Sequence, residues 1–184
     1  MTTDATLKKG YKYRIYPNKE QEKDIAKVFG SCRYVYNRLL HESIEEHKLY
    51  KEDPEKHTKP EISIREYSTK IVKWKNEEET SWLADVSSVP LQQASRHLVS
   101  AFSTFFKKKK GYPNFKSKKN KQSASFTVSG YRIKEKKLWL GRLKSSITVK
   151  WSRKLPSEPN TCIISKEPSG KYYVSFICEY SPAR

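Results

Sequence analysis

The run Tyr11-Lys12-Tyr13-Arg14-Ile15-Tyr16 alternates apolar and basic side chains and ends at Pro17. A period of two belongs to a half-buried strand, and proline stops it because it has no amide hydrogen for a ladder. Asn18 then offers a helix N-cap, with Gln21 three residues on to complete a capping box. Ile25, Val28, Phe29, Cys32, Tyr36, Leu39, Leu40 and Ile44 follow at helical spacing, and Gly30 is placed to divide the stretch into two helices. Residues 51–60 are polar and bounded by proline, the composition of a loop. Ser63 and Glu66 have capping-box spacing before a second helix whose face carries Ile64, Tyr67, Ile71 and Trp74. Residues 75–81 link onward. A third helix is expected from Ser87 or Ser88, with Pro90 tolerated in its first turn and Leu91, Ala94, Leu98, Phe102 and Phe105 as its apolar stripe. It ends in Lys107 to Gly111.

Beyond Gly111 the period changes from helical to two. Strands are expected at 125–128, 137–140, 147–151, 161–164 and 172–177, with Pro168-Ser169-Gly170 turning the last two into a hairpin. A single N-terminal strand is not stable by itself, so 11–16 must pair with these later strands. The helices then form an insertion in a β-domain, and the fold class is α+β.

Charge changes this picture from architecture to partner. Residues 107–154 hold 17 Lys or Arg against one acid, Glu135, and so carry +16 of the formal net charge of +18. Concentrated positive charge attracts polyanions and releases their counterions on binding, which points to nucleic acid. The hydrophobic content of 35% is too high for a disordered basic tail throughout. Neither a signal-peptide pattern nor a membrane-length apolar run is present, so an intracellular soluble protein, cytoplasmic and nucleoid-associated, is expected. Cys32, Cys162 and Cys178 are odd in number and lack CxxC spacing, which fits reduced buried thiols better than a disulfide framework or zinc site. His41, His47, His57 and His97 show no ligand spacing, and no metal or cofactor is expected.

The segment 107–121 carries eight lysines with Tyr112 and Phe115 between them. Lysines meet phosphates as mobile point charges, while the two aromatics either stack on bases or anchor the loop to the core. On the third helix Gln92, Gln93, Arg96 and Ser100 lie opposite the apolar stripe, where Gln and Arg can read base edges or simply face solvent. Carboxylates that could hold a catalytic metal are sparse: beyond Asp85 only Glu135, Glu158, Glu167 and Glu179 remain. No phosphate-binding glycine loop or nucleophile elbow is visible either.

Read together, several runs resemble the N-terminal half of TnpB, the transposon-encoded RNA-guided nuclease related to compact type V CRISPR effectors. They are Tyr11 to Pro17 with Gln21, Gly30-Ser31-Cys32-Arg33-Tyr34-Val35-Tyr36-Asn37, and Phe105-Phe106 leading through Gly111-Tyr112-Pro113-Asn114-Phe115 to Lys119. Trp82-Leu83 and Leu91-Gln92-Gln93-Ala94 lie between them in order, and Ser169 to Ser175 fits a closing hairpin. The resemblance implies a wedge-type β-barrel of residues 1–16 and 112–184, interrupted by a helical recognition lobe at 17–111. It implies a structured guide RNA and double-stranded target DNA as partners. The phosphate-binding candidates are Lys107, Lys108, Lys109, Lys110, Lys116, Lys118, Lys119, Lys121, Arg132, Lys134, Arg142, Lys144 and Lys150. The stacking candidates are Tyr112 and Phe115. Gln92 matches a residue that reads the motif beside the target, with Ser88, Arg96 and Thr127 around it; Ser88 stands where a family member has Lys, which affects the motif's identity. The family's first catalytic Asp would follow the strand near Tyr180 and has no counterpart before Arg184. A non-enzymatic, nucleic-acid-binding role is therefore expected of this chain. The alternatives are a fragment or subunit of an active RNA-guided endonuclease, joined by a nuclease-domain polypeptide or a full-length effector, and a truncated regulator that competes for guide RNA or DNA. A generic basic β-barrel that binds RNA is the third rival.

Overall fold

The structure is a computed structural model and describes residues 6–180. It contains seven strands, β1 (Leu7–Tyr16), β2 (Gln122–Thr127), β3 (Tyr131–Lys134), β4 (Lys137–Leu140), β5 (Ile147–Lys150), β6 (Thr161–Lys166) and β7 (Tyr172–Tyr180). The helices are α1 (Lys19–Glu52), α2 (Ile64–Asn76) and α3 (Ser88–Phe106), with a 3-10 segment at Glu78–Asp85. By contact the chain divides into two compact units, one running up to Phe29 and resuming at Lys119, the other Gly30–Lys118.

The first unit is one antiparallel sheet in the order β2-β6-β7-β1-β5-β4-β3. Its two edge strands are consecutive in the chain and joined by only three residues, so the sheet curls into a nearly closed barrel. The N-terminal strand lies in the middle, paired with β7 from Leu7↔Tyr180 to Ile15↔Tyr172 and with β5 from Arg14↔Lys150 to Tyr16↔Thr148. Alternation sends Tyr13, Ile15, Val149, Val174, Phe176 and Cys178 into one buried layer, joined by Phe126, Cys162 and Ile164. The β6–β7 hairpin turns at Gly170, whose φ of +88° suits glycine, and Gly170 N donates to the Glu167 carbonyl.

At the start of α1 the capping box forms as its spacing predicts: Gln21 N donates to Asn18 Oδ1 and Asn18 N to Gln21 Oε1. Gln21 also donates through Nε2 to Ser145 Oγ and to the Ser146 carbonyl. Gly30 does not divide the helix, which is continuous for 34 residues. Buried apolar residues on both sides of Gly30 outweigh the roughly 1 kcal/mol that one helical glycine costs.

In the second unit Val35, Leu39 and Leu40 of α1, Ile71 and Trp74 of α2, Leu83, and Leu91, Leu98 and Phe102 of α3 make the core. Polar groups fix the helix pairings. Ser43 and Tyr67 share a 2.7 Å hydroxyl contact, and Arg38 lies 4.2 Å over the Trp74 ring while pairing with Glu42 and Glu77. Ser63 caps α2 through its hydroxyl, and Ser87 caps α3. All three cysteines are buried and free. Burial pushes the Cys32 thiol up to about 12 and the Cys162 thiol higher still, so neither is a ready nucleophile. No helix among the described residues is long and apolar enough to cross a membrane.

Candidate nucleic-acid interface

The lysine run begins where α3 stops. Lys109 N donates to the Thr104 carbonyl and Lys108 N to the Phe105 carbonyl, the paired bonds of a Schellman cap. The position that glycine normally fills in such a cap is Lys108, with φ of 55°. Four exposed ammonium groups therefore radiate from one sharply turned helix end. They also sit beside the negative end of the helix dipole, which favours cations there.

The loop that follows is held by a contact the sequence reading did not single out. Asn37, in the interior of α1, grips the backbone of Lys116: its Nδ2 donates to the Lys116 carbonyl at 2.9 Å, and its Oδ1 accepts from the Lys116 amide at 2.7 Å. The Lys116 ammonium rests 4.6 Å above the Tyr36 ring. An asparagine in a helix interior, where it has poor propensity, is the signal that could have flagged it. Lys116 also faces His97, whose pKa is lowered first by desolvation and then by that ammonium.

Tyr112 sits edge-on against Phe102 at 5.6 Å and Phe105 at 5.0 Å, so its ring anchors the loop to α3. Both stacking candidates keep exposed surface, Tyr112 at 44% and Phe115 at 54%, while Phe106 is 62% exposed and lies nearly parallel to Phe102 at 6.1 Å.

Ser88, Gln92 and Arg96 fall at intervals of four on α3 and share a face. Ser88 and Arg96 are exposed, whereas Gln92 is half-buried and its Oε1 accepts a 2.6 Å bond from Ser68 Oγ of α2. Its amide nitrogen is thus the group presented for donation; paired reading of a base would require the Ser68 bond to yield. Thr127, at the end of β2 in the other unit, shares a 3.2 Å hydroxyl contact with Ser129.

On the barrel, two pairs of cations oppose each other directly across strands: Arg14 with Lys150, and Lys134 with Lys137. Like charges in such register destabilise a sheet until an anion lies between them. Arg14 is stacked over the Tyr16 and Tyr173 rings, and its buried Nε finds no hydrogen-bond partner among the described residues. Arg132 covers the Trp139 ring at 5.2 Å. Lys121 is instead partly neutralised, sharing Glu167 with Lys12, and together they hold that carboxyl below its ordinary range. Lys144 and Lys150 are exposed, as are Lys118, Lys119 and Arg142. Of the four acids beyond Asp85, Glu167 and Glu179 are thus tied up in ion pairs, Glu179 with Lys8. Among the described residues no three His, Cys, Asp or Glu side chains gather as a metal site.

A barrel-like antiparallel sheet interrupted by a helical insertion, with a cationic segment running from the last helix into the barrel, defines the class of protein. Residues 1–52 match a family described as a helix-turn-helix domain. The described part of that stretch holds β1 and the single helix α1 rather than two helices and a turn. The chain is 38% identical over 176 residues to a Streptomyces pristinaespiralis protein named "Putative RNA-guided DNA endonuclease", a match covering 94% of this chain and 42% of that protein. It is 29% identical over 175 residues to "Putative RNA-guided DNA endonuclease InsQ" of Escherichia coli (strain K12), covering 92% and 40%. It is also 34% identical over 113 residues to "Virulence protein VsdF" of Salmonella dublin, covering 58% of this chain and 91% of that one. The chain belongs to the TnpB-like family. It spans about two fifths of the length of the two endonuclease-named relatives.

Proposed function

We propose that this chain binds nucleic acid as the non-catalytic part of a TnpB-like RNA-guided system, holding a structured guide RNA and engaging double-stranded DNA beside the target. The observation that carries this reading is the +16 segment, residues 107–154, which supplies the four-lysine helix end and, with Arg14 of β1, the opposed cations of the barrel. The lysines and arginines expected from the sequence would hold phosphates. Tyr112 and Phe115 would stack on bases, and Ser88, Gln92, Arg96 and Thr127 would each contact DNA. The relatives' printed names support a second role, as part of an active endonuclease, in which a nuclease-domain polypeptide supplies the carboxylates for metal.

The test is the affinity for a structured RNA as a function of salt. Each phosphate neutralised contributes about 0.7 to 0.9 to the slope of log K against log salt, so changing Lys107 to Lys110 to Ala should flatten it by about 3. Binding that ignores salt overturns the proposal. Guide-dependent DNA cutting that appears only when a nuclease-domain polypeptide is added would establish the second role.

A further inference from the structure

A cleft of about 770 Å³ opens on the barrel under the connection between β5 and β6, within the size range of small-ligand sites. Its wall includes Trp151, which is partly exposed. One face of its indole lies nearly parallel to Phe176, at 5.7 Å and 10°, Tyr13 meets the ring edge-on at 4.9 Å, and the indole Nε1 donates a 2.8 Å bond to the Lys136 carbonyl. A ring backed on one face and pinned at its nitrogen is a preset stacking platform. The backbone that pins it is itself strained. Glu135 and Lys136, the two residues turning β3 into β4, have φ of 53° and 59° without being glycine or asparagine.

Three cations share the cleft: Lys136, Arg153 and Lys154. Arg153 is held over the Tyr11 and Tyr13 rings at 5.2 and 5.6 Å, which fixes its guanidinium near the platform. Glu158 is the single carboxylate in the wall. A carboxylate repels a phosphate but accepts a hydrogen bond from a sugar hydroxyl, so its presence favours ribose over deoxyribose.

We propose that this cleft takes one unstacked nucleotide of a single-stranded RNA segment, its base on Trp151, its phosphate between Arg153 and Lys154, and its 2′-hydroxyl toward Glu158. The proposal rests on the nucleic-acid reading above and adds a discrete site to it. An aromatic platform with flanking cations suits any base, because every base has a π-face.

The experiment irradiates the full chain with a short mixed-sequence single-stranded RNA and maps cross-linked peptides by mass spectrometry, alongside affinity measurements. The expected cross-link falls on the peptide carrying Trp151. Changing Arg153→Ala with Lys154→Ala, both exposed, should abolish it and lower affinity about tenfold, whereas Trp151→Phe, which keeps a ring, should retain most of the affinity. DNA of the same sequence should cross-link there more weakly, and Glu158→Ala should narrow that difference. RNA that binds with salt-dependent affinity, yet cross-links nowhere in 147–159 and ignores the double substitution, overturns the cleft while leaving the nucleic-acid reading intact. Failure of the unaltered chain to bind any RNA overturns both. Adenosine monophosphate binding in the cleft while RNA makes no cross-link there would overturn the assignment to a strand in favour of a free nucleotide.

Discussion

Two side chains hold the basic loop in shape, and each does so against its own conformational preference. Lys108 occupies a left-handed position that glycine adopts without a steric cost. Lys108→Gly should therefore raise stability by about 1 kcal/mol, read as a higher melting temperature, while removing one cation from the interface. Asn37 sits in a helix interior but spends both ends of its amide on the backbone of Lys116. Asn37→Ala should change global stability by no more than about 1 kcal/mol, since lost hydrogen bonds are offset by better helix propensity. Exchange of the Lys116 amide hydrogen with solvent should nevertheless become much faster. An unchanged exchange rate would mean that the clamp does not hold in solution. The charge of Lys108 and Lys116 was legible in the sequence. The clamp was not, because it joins positions 79 residues apart.

At the scale of elements, local pattern was most informative where a strand or helix is long and one-sided. The Asn18–Gln21 capping box, the alternation that ends at Tyr16, the start of α3 at Ser88 and the hairpin at Gly170 all follow from chemistry within a few residues. β3 escaped notice because Tyr131-Arg132-Ile133-Lys134 is four residues long and has no fully buried side chain, so its alternation is too short to stand out. The 3-10 segment at Glu78–Asp85 escaped for a similar reason, since its eight residues wind at three per turn and bury only Thr80 and Leu83, which leaves little periodic trace. The division expected at Gly30 fails because the apolar stripe runs through it without a phase shift. A Cβ placed on Gly30 would meet only the far end of the Arg33 side chain, at 3.8 Å. Gly30→Ala should accordingly stabilise the protein by up to about 1 kcal/mol, measured by chemical denaturation with an unchanged m-value. A loss of stability would show that the glycine serves close packing or motion instead.

For the whole molecule, the sequence by itself determined the class of fold, the insertion of helices between the first strand and the rest, and the segregation of charge. Those properties depend on period and composition, and both can be read along one dimension. It also required β1 to find partners, since an isolated strand has none of its backbone hydrogen bonds satisfied. Tertiary structure alone decided which partners. β1 takes β7 on one side and β5 on the other, although residues such as Leu7 and Tyr180 lie at opposite ends of the described chain. That pairing opposes Arg14 to Lys150 and brings Trp151 and Phe176 face to face. A sequence shows which side chains want burial or a counter-charge, but ladder register fixes which of them meet, and register is a property of strands far apart in the chain.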